Sequence, residues 1–216
     1  MNFFSVQTIA FEAYGYQMSW LELVATFAGL LAVWLSAKEH IINWPIGLVN
    51  VVLSFFVFFQ FSLYSDMLLQ IYFFATGIYG WWQWTRQDAV SSEKKVKISY
   101  MTRPQQIWMV VTILGFTIVF GSIVGKFHEW VPTIFQQPAA FPYADTLVMV
   151  MSLFGNFLLT IKKIESWILW VLVDIIAPVL YFQKEMILFT IEYIVFLSIA
   201  AFALVNWLKI YKKDLI

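Results

Sequence analysis

Seven apolar stretches, at about residues 20–37, 44–61, 67–85, 107–125, 146–161, 166–183 and 186–208, constrain this chain more than any other feature. Each is long enough, or nearly so, to cross roughly 30 Å of hydrocarbon as a helix. The fifth and sixth are short and flanked by polar residues, so their ends are soft. Composition agrees: 62% of the 216 residues are hydrophobic and 12% charged, against about half and a quarter in an ordinary soluble domain. So few polar residues cannot cover that much apolar surface, and the covering is lipid. The fold class expected is an all-α membrane protein with seven transmembrane helices.

Loop charges orient the chain. Placing the N-terminus outside puts eleven of the thirteen Lys and Arg in the cytoplasm, with only Lys126 and Lys184 outside. A bias that strong is the positive-inside signature. The longest polar interval carries Arg86, Lys94, Lys95, Lys97 and Arg103 and separates two halves. The division expected is 1–18 as an extracytoplasmic segment, 19–85 as a first three-helix repeat and 86–106 as a cytoplasmic loop. It continues with 107–125 as a linker helix, 126–145 as an extracytoplasmic loop, 146–208 as a second three-helix repeat and 209–216 as a cytoplasmic tail. Segment 1–18 has no basic start and no cleavage site, so it does not read as a signal peptide; Phe3, Phe4, Ile9 and Phe11 make it a weak candidate for the membrane surface. Sliding the halves together sets Lys38 on Lys162, Ile41 on Glu165 and Asn50 on Asp174, then Gln70-Ile71 on Glu192-Tyr193 after a gap. Two triplets joined by one helix (3+1+3) share an orientation, the parallel type of repeat.

Ionisable groups within spans face a cavity or a partner, because hydrocarbon penalises them. Asp174 sits mid-span in the sixth stretch, and Pro178 cannot donate to the carbonyl four residues earlier. A kink is expected there. Trp167, Trp170 and Asp174 recur at i, i+3 and i+7 on one face; they read either as a ligand wall or as interfacial anchors beside a lysine-paired acid. Glu192, followed by Tyr193, is a second acid within a span or a solvated interfacial one. Glu22 reads as interfacial. Asn43-Trp44-Pro45 starts a helix, and Asn50 within it serves either a cross-helix hydrogen bond or a ligand hydroxyl. Gln70 shares a face with Phe74, Gly77 and Trp81, while Trp81, Trp82 and Trp84 read mostly as an aromatic belt.

Absences exclude function classes. There is no cysteine, hence no thiol chemistry or disulfide scaffold. Neither His40 nor His128, both expected in loops, has a partner at metal spacing. No phosphate loop, dinucleotide fingerprint or nucleophile elbow is present. No basic stripe points to nucleic acid. No cofactor is expected, and a small polar solute crossing the bilayer is the reading that remains. A membrane-embedded enzyme or a substrate-binding subunit is the contrasting class.

The run Gly77-Ile78-Tyr79-Gly80-Trp81-Trp82-Gln83-Trp84, with Asn43-Trp44-Pro45-Ile46-Gly47-Leu48-Val49-Asn50, Tyr64-Ser65-Asp66-Met67-Leu68-Leu69-Gln70 and Trp167-x-x-Trp170, resembles the PnuC family of bacterial nicotinamide riboside transporters over about residues 20–208. The resemblance implies a SWEET-like 3+1+3 fold in a bacterial inner membrane and a homotrimer. It also implies facilitated diffusion made one-way by a cytoplasmic kinase that phosphorylates the riboside, and a substrate role for Trp167 and Trp170. Relatives for thiamine, riboflavin and deoxynucleosides keep another flat vitamin, thiamine first, as the alternative. The substrate-binding candidates are thus Trp170, Asp174, Glu192, Tyr193, Gln70, Asn50, Trp167 and Trp44, in a site expected between the triplets. Gly47, Gly77 and Pro178 are hinge candidates, and no metal site is expected.

Overall fold

The computed structural model describes residues 3–13, 15–60, 64–88, 97–133, 138–183 and 187–213. Lys94, Lys95 and Lys184, counted above in loops, lie outside them. Strands β1 (Ile9–Ala13) and β2 (Tyr16–Ser19) precede helices α1 (Trp20–Ala37), α2 (Asn43–Gln60) and α3 (Tyr64–Asp88). Helices α4 (Arg103–Gly125), α5 (Phe127–Trp130), α6 (Pro142–Thr160), α7 (Glu165–Gln183) and α8 (Ile187–Lys213) follow. Among the described residues six helices are long and apolar enough to cross a membrane: α1, α2, α4, α6, α7 and α8. Helix α3 has 25 residues, but its Tyr, Trp and Gln content and charged ends make it more polar. His128 belongs to the one-turn α5 rather than to a loop.

Residues 1–97 and 98–216 form two compact units. In the first, the N-terminal segment contains an antiparallel hairpin (Ala13 opposite Tyr16). Gly15 takes φ 82° in its turn, a conformation that suits glycine. Ser19 then caps α1: its hydroxyl accepts from Glu22 N–H (3.2 Å), and Glu22 Oε2 accepts from Ser19 N–H (2.9 Å). Tyr16 O–H donates to the other oxygen of Glu22. Glu22 is therefore the N3 member of a capping box. Gln60 clasps the segment before the hairpin, accepting from Val6 N–H (3.0 Å) and donating to the Phe4 carbonyl (2.8 Å). Helix α2 packs on both α1 and α3.

In the second unit α6 packs on α4 and α7, and α7 packs on α8. Met109 and Ile113 of α4, Val150, Met151 and Leu158 of α6, and Leu169 and Val173 of α7 make one core cluster. The helix expected to link two halves thus packs one narrow face, Met109, Ile113, Thr117 and Gly121, within the second. One face of α8 carries Ile191, Ile194, Val195, Phe202 and Val205, all exposed. Its opposite face carries Ala200, Ala203 and Trp207, all buried.

The α1–α2 and α6–α7 turns are the same structure at residue numbers differing by 123. Glu39 N–H bonds the Ser36 carbonyl and Lys162 N–H the Leu159 carbonyl; His40 bonds Leu35 and Lys163 bonds Leu158. Asn43 to His40 and Trp44 to Ile41 repeat as Ser166 to Lys163 and Trp167 to Ile164. The pivot residue is left-handed in both, Glu39 at φ 59° and Lys162 at φ 54°. Few non-glycine residues adopt that conformation, so its recurrence fixes the alignment. It lies one residue from the sequence pairing: Glu39, not Lys38, matches Lys162, and Asn50 matches Val173, not Asp174. The lysines misled because basic residues are common at turns between spans whatever the register.

Candidate functional site

Helices α7 and α8 run antiparallel, and two ring contacts set their register. Trp167 meets Trp207 edge to face (5.8 Å, 78°), and Tyr181 stacks on Tyr193 (5.2 Å, 24°). Asp174 lies seven residues from Trp167 and from Tyr181, about 10 Å along the axis from each ring level at ~1.5 Å per residue. Its carboxylate is buried and makes no hydrogen bond or ion pair among the described residues. Ala200 of α8 is the small residue level with it. Trp170 is one turn away, half-buried, its indole against Gly155 of α6; a Cβ there would come within 3.3 Å of Nε1. Glu192 shares the α7-facing side of α8 with Ala200, Ala203 and Trp207, at the Tyr181 level. The two acids are thus staggered by about 12 Å of helix axis rather than facing each other.

Tyr193 is held between Tyr181 and Phe196, and Tyr181 also stacks on Phe189 (5.4 Å). This end of the α7–α8 pair is an aromatic stack. Helix α7 runs continuously through Pro178, so the residue 174 carbonyl loses its helical donor without a break in the helix.

Trp167, only 1% exposed, is the most enclosed of the aromatic candidates. Its partner Trp207 is not among the residues that the sequence singles out. The first unit repeats the arrangement: Trp44 meets Trp84 edge to face (5.4 Å, 86°), again at numbers differing by 123. Gly80 is the glycine that this pair requires, since a Cβ there would lie 2.3 Å from the Trp44 ring. The Trp81–Trp84 run therefore splits. Trp81 and Trp82 are exposed, with Arg86 over the Trp82 ring at 4.5 Å, while Trp84 is core.

Asn50 donates to the Ala25 carbonyl (2.8 Å) and to Ser54 Oγ (3.3 Å), tying α2 to α1. Of its two readings, the cross-helix bond is made. Gln70 is buried and bonded in α3 and corresponds to Tyr193 in the 123-residue register. Among the hinge candidates, Gly77 is a packing glycine: a Cβ would come 2.9 Å from Leu48 Cδ2. Gly47 has room, with Ala32 Cβ at 3.7 Å.

Residues 19–209 match the family model described as nicotinamide mononucleotide transporter. The chain is 37% identical over 219 residues to the nicotinamide riboside transporter PnuC of Escherichia coli K12, covering 93% of this chain and 91% of that one. It is 27% identical to the nicotinamide riboside transporter PnuC of Neisseria mucosa, covering 90% and 74%. A crystal structure of the vitamin B3 transporter PnuC is similar with a TM-score of 0.66 and 25% identity, covering 90% of this chain and 83% of that one.

Proposed function

The chain belongs to the nicotinamide mononucleotide transporter family, and from that premise we propose that it carries nicotinamide riboside by facilitated diffusion. Its family and fold are those of a multi-pass membrane transporter, not of an enzyme. The family description and the relatives name different ligands, a mononucleotide and its riboside. The observation that favours the riboside is the distribution of cations: among the described residues every Lys or Arg within a long helix lies in an end turn, save Lys209, four residues from the end of α8. A phosphate taken to mid-membrane would find no counter-charge there. A pyridinium ribosyl cation finds two carboxylates instead.

In this proposal Trp170 offers an indole face to the cationic ring, an attraction of roughly 0.5–2 kcal/mol, and Asp174 offsets the charge. Glu192 and Tyr193 serve the ribose hydroxyls; in the first unit Gln70, which matches Tyr193, and Asn50 are the polar candidates. Trp167 and Trp44 hold their helix pairs through Trp207 and Trp84. The repeated turn supports a 3+1+3 build, with Gly47, Gly77 and Pro178 as hinge candidates. We further propose an N-out, C-in orientation in a bacterial inner membrane, a homotrimer and trapping by a cytoplasmic ribosylnicotinamide kinase. Titration calorimetry with the riboside, its mononucleotide, thiamine and riboflavin tests the ligand. The riboside is expected to bind at least about tenfold tighter than each of the others, and tighter binding of the mononucleotide would refute the charge argument.

A further inference from the structure

Residues 98–102, which precede α4, are fastened to the α6–α7 turn. Ser99 N–H donates to the Lys162 carbonyl and the Ser99 carbonyl accepts from Ile164 N–H, both at 3.1 Å, a one-residue parallel bridge. Lys163 Nζ donates to Ser99 Oγ (2.8 Å) and to the Tyr100 carbonyl (3.4 Å). Glu165 Oε1 accepts from Met101 N–H (2.9 Å) and from Gln106 Nε2 (2.6 Å), so one carboxylate oxygen joins the segment to the first turn of α4. Ile98, Ile164 and Glu165 are buried beneath it. Tyr100 meets Tyr211 of α8 edge to face at 5.2 Å. Burial, then the Glu165 carboxylate and Tyr211, hold the Tyr100 phenol above the usual tyrosine range.

The duplicated turn supplies a control. At the position matching Glu165 the α1–α2 turn carries Ile42, 48% exposed, and the turn closes with the same hydrogen bonds. The fastening is therefore not needed to make the turn. It is an addition confined to the unit that contains α4.

We propose that residues 98–102 are a permanent strap that keeps α4 docked on the α6–α7 turn throughout the transport cycle, with Glu165 as its positioning residue. Helices α4, α6 and α7 then move as one body. This rests on the carrier reading, since only a carrier has a cycle to survive. Releasing the strap would strand a buried carboxylate and five hydrogen-bond donors, which favours motion elsewhere.

The chain has no cysteine, so the double variant Ser99→Cys/Lys163→Cys carries the only thiols. A bridged pair lies within the ~4.4–6.8 Å Cα spacing that a disulfide spans. Oxidised with copper–phenanthroline in liposomes, it is expected to take up labelled riboside within about twofold of its reduced form. A loss of tenfold or more that dithiothreitol restores would overturn the proposal. On the unmodified chain, hydrogen exchange at the Ser99, Met101 and Ile164 amides is expected to be unchanged by saturating riboside. Acceleration of tenfold or more overturns it as well, and this readout decides docking even if no transport is found, a result that would instead sink the carrier reading.

Discussion

In the proposed carrier Asp174 is the residue that meets the ligand's charge, and its position in the fold is the reason. It lies two turns from Trp167 on the same helix face, buried, at the level where the ring contacts put Ala200 of α8, whereas one turn away Trp170 lies against Gly155 of α6. An acid with no partner among the described residues is costly in such surroundings, and a cationic ligand lowers that cost. Trp170→Ala or Asp174→Ala is therefore expected to weaken riboside binding at least about tenfold, or ~1.4 kcal/mol, with the protein still folded by thermal unfolding in detergent. Unchanged calorimetric affinity in both would return the pair to a packing role. Asp174, Trp170 and Pro178 were legible in the sequence because a charge, a ring and an imino acid inside an apolar run each break its pattern. Trp207 was not, because a tryptophan near the end of a span is indistinguishable from a belt residue until its neighbour across the helix pair is known. Glu165 was missed for the same reason: its partners, Met101 and Gln106, lie about sixty residues away in sequence.

Between helices, the edge-to-face tryptophan pairs set spacing and register; Gly80 admits the Trp44 ring in the first unit, and the residue at the matching number in the second is the buried Ala203. Gly80→Ala puts a methyl group inside the Trp44 ring, and overpacking of this kind costs about 1–3 kcal/mol. Gly47→Ala meets only Ala32 at van der Waals distance and gains up to ~1 kcal/mol of helix propensity. Thermal stability is thus expected to fall for the first variant and to hold or rise for the second. A fall in transport by Gly47→Ala at unchanged stability would mark a hinge. Helix positions were legible to within a few residues because apolar length is the strongest signal a membrane chain carries. The N-terminal hairpin was not: its strands are short, and the Gln60 amide that clasps the segment before them belongs to a different element.

For the whole molecule, the bias of basic residues predicts both orientation and route. Lys126→Cys in the otherwise cysteine-free chain is expected to react with an impermeant maleimide added outside cells, and Lys212→Cys only after lysis; the reverse pattern would invert the topology. The repeated turn, with its left-handed pivot at Glu39 and again at Lys162, supports the proposed repeat where low sequence identity between the halves obscures it. The central claim is that this fold lets a riboside equilibrate across a bilayer without an energy source. Purified protein in liposomes, given labelled nicotinamide riboside with no ATP and no ion gradient, tests that claim most directly. Internal label is expected to rise to the external concentration and stop there, at a rate proportional to protein. Accumulation above it, or dependence on a gradient, would contradict facilitated diffusion, and bound label that never enters the lumen would contradict transport itself.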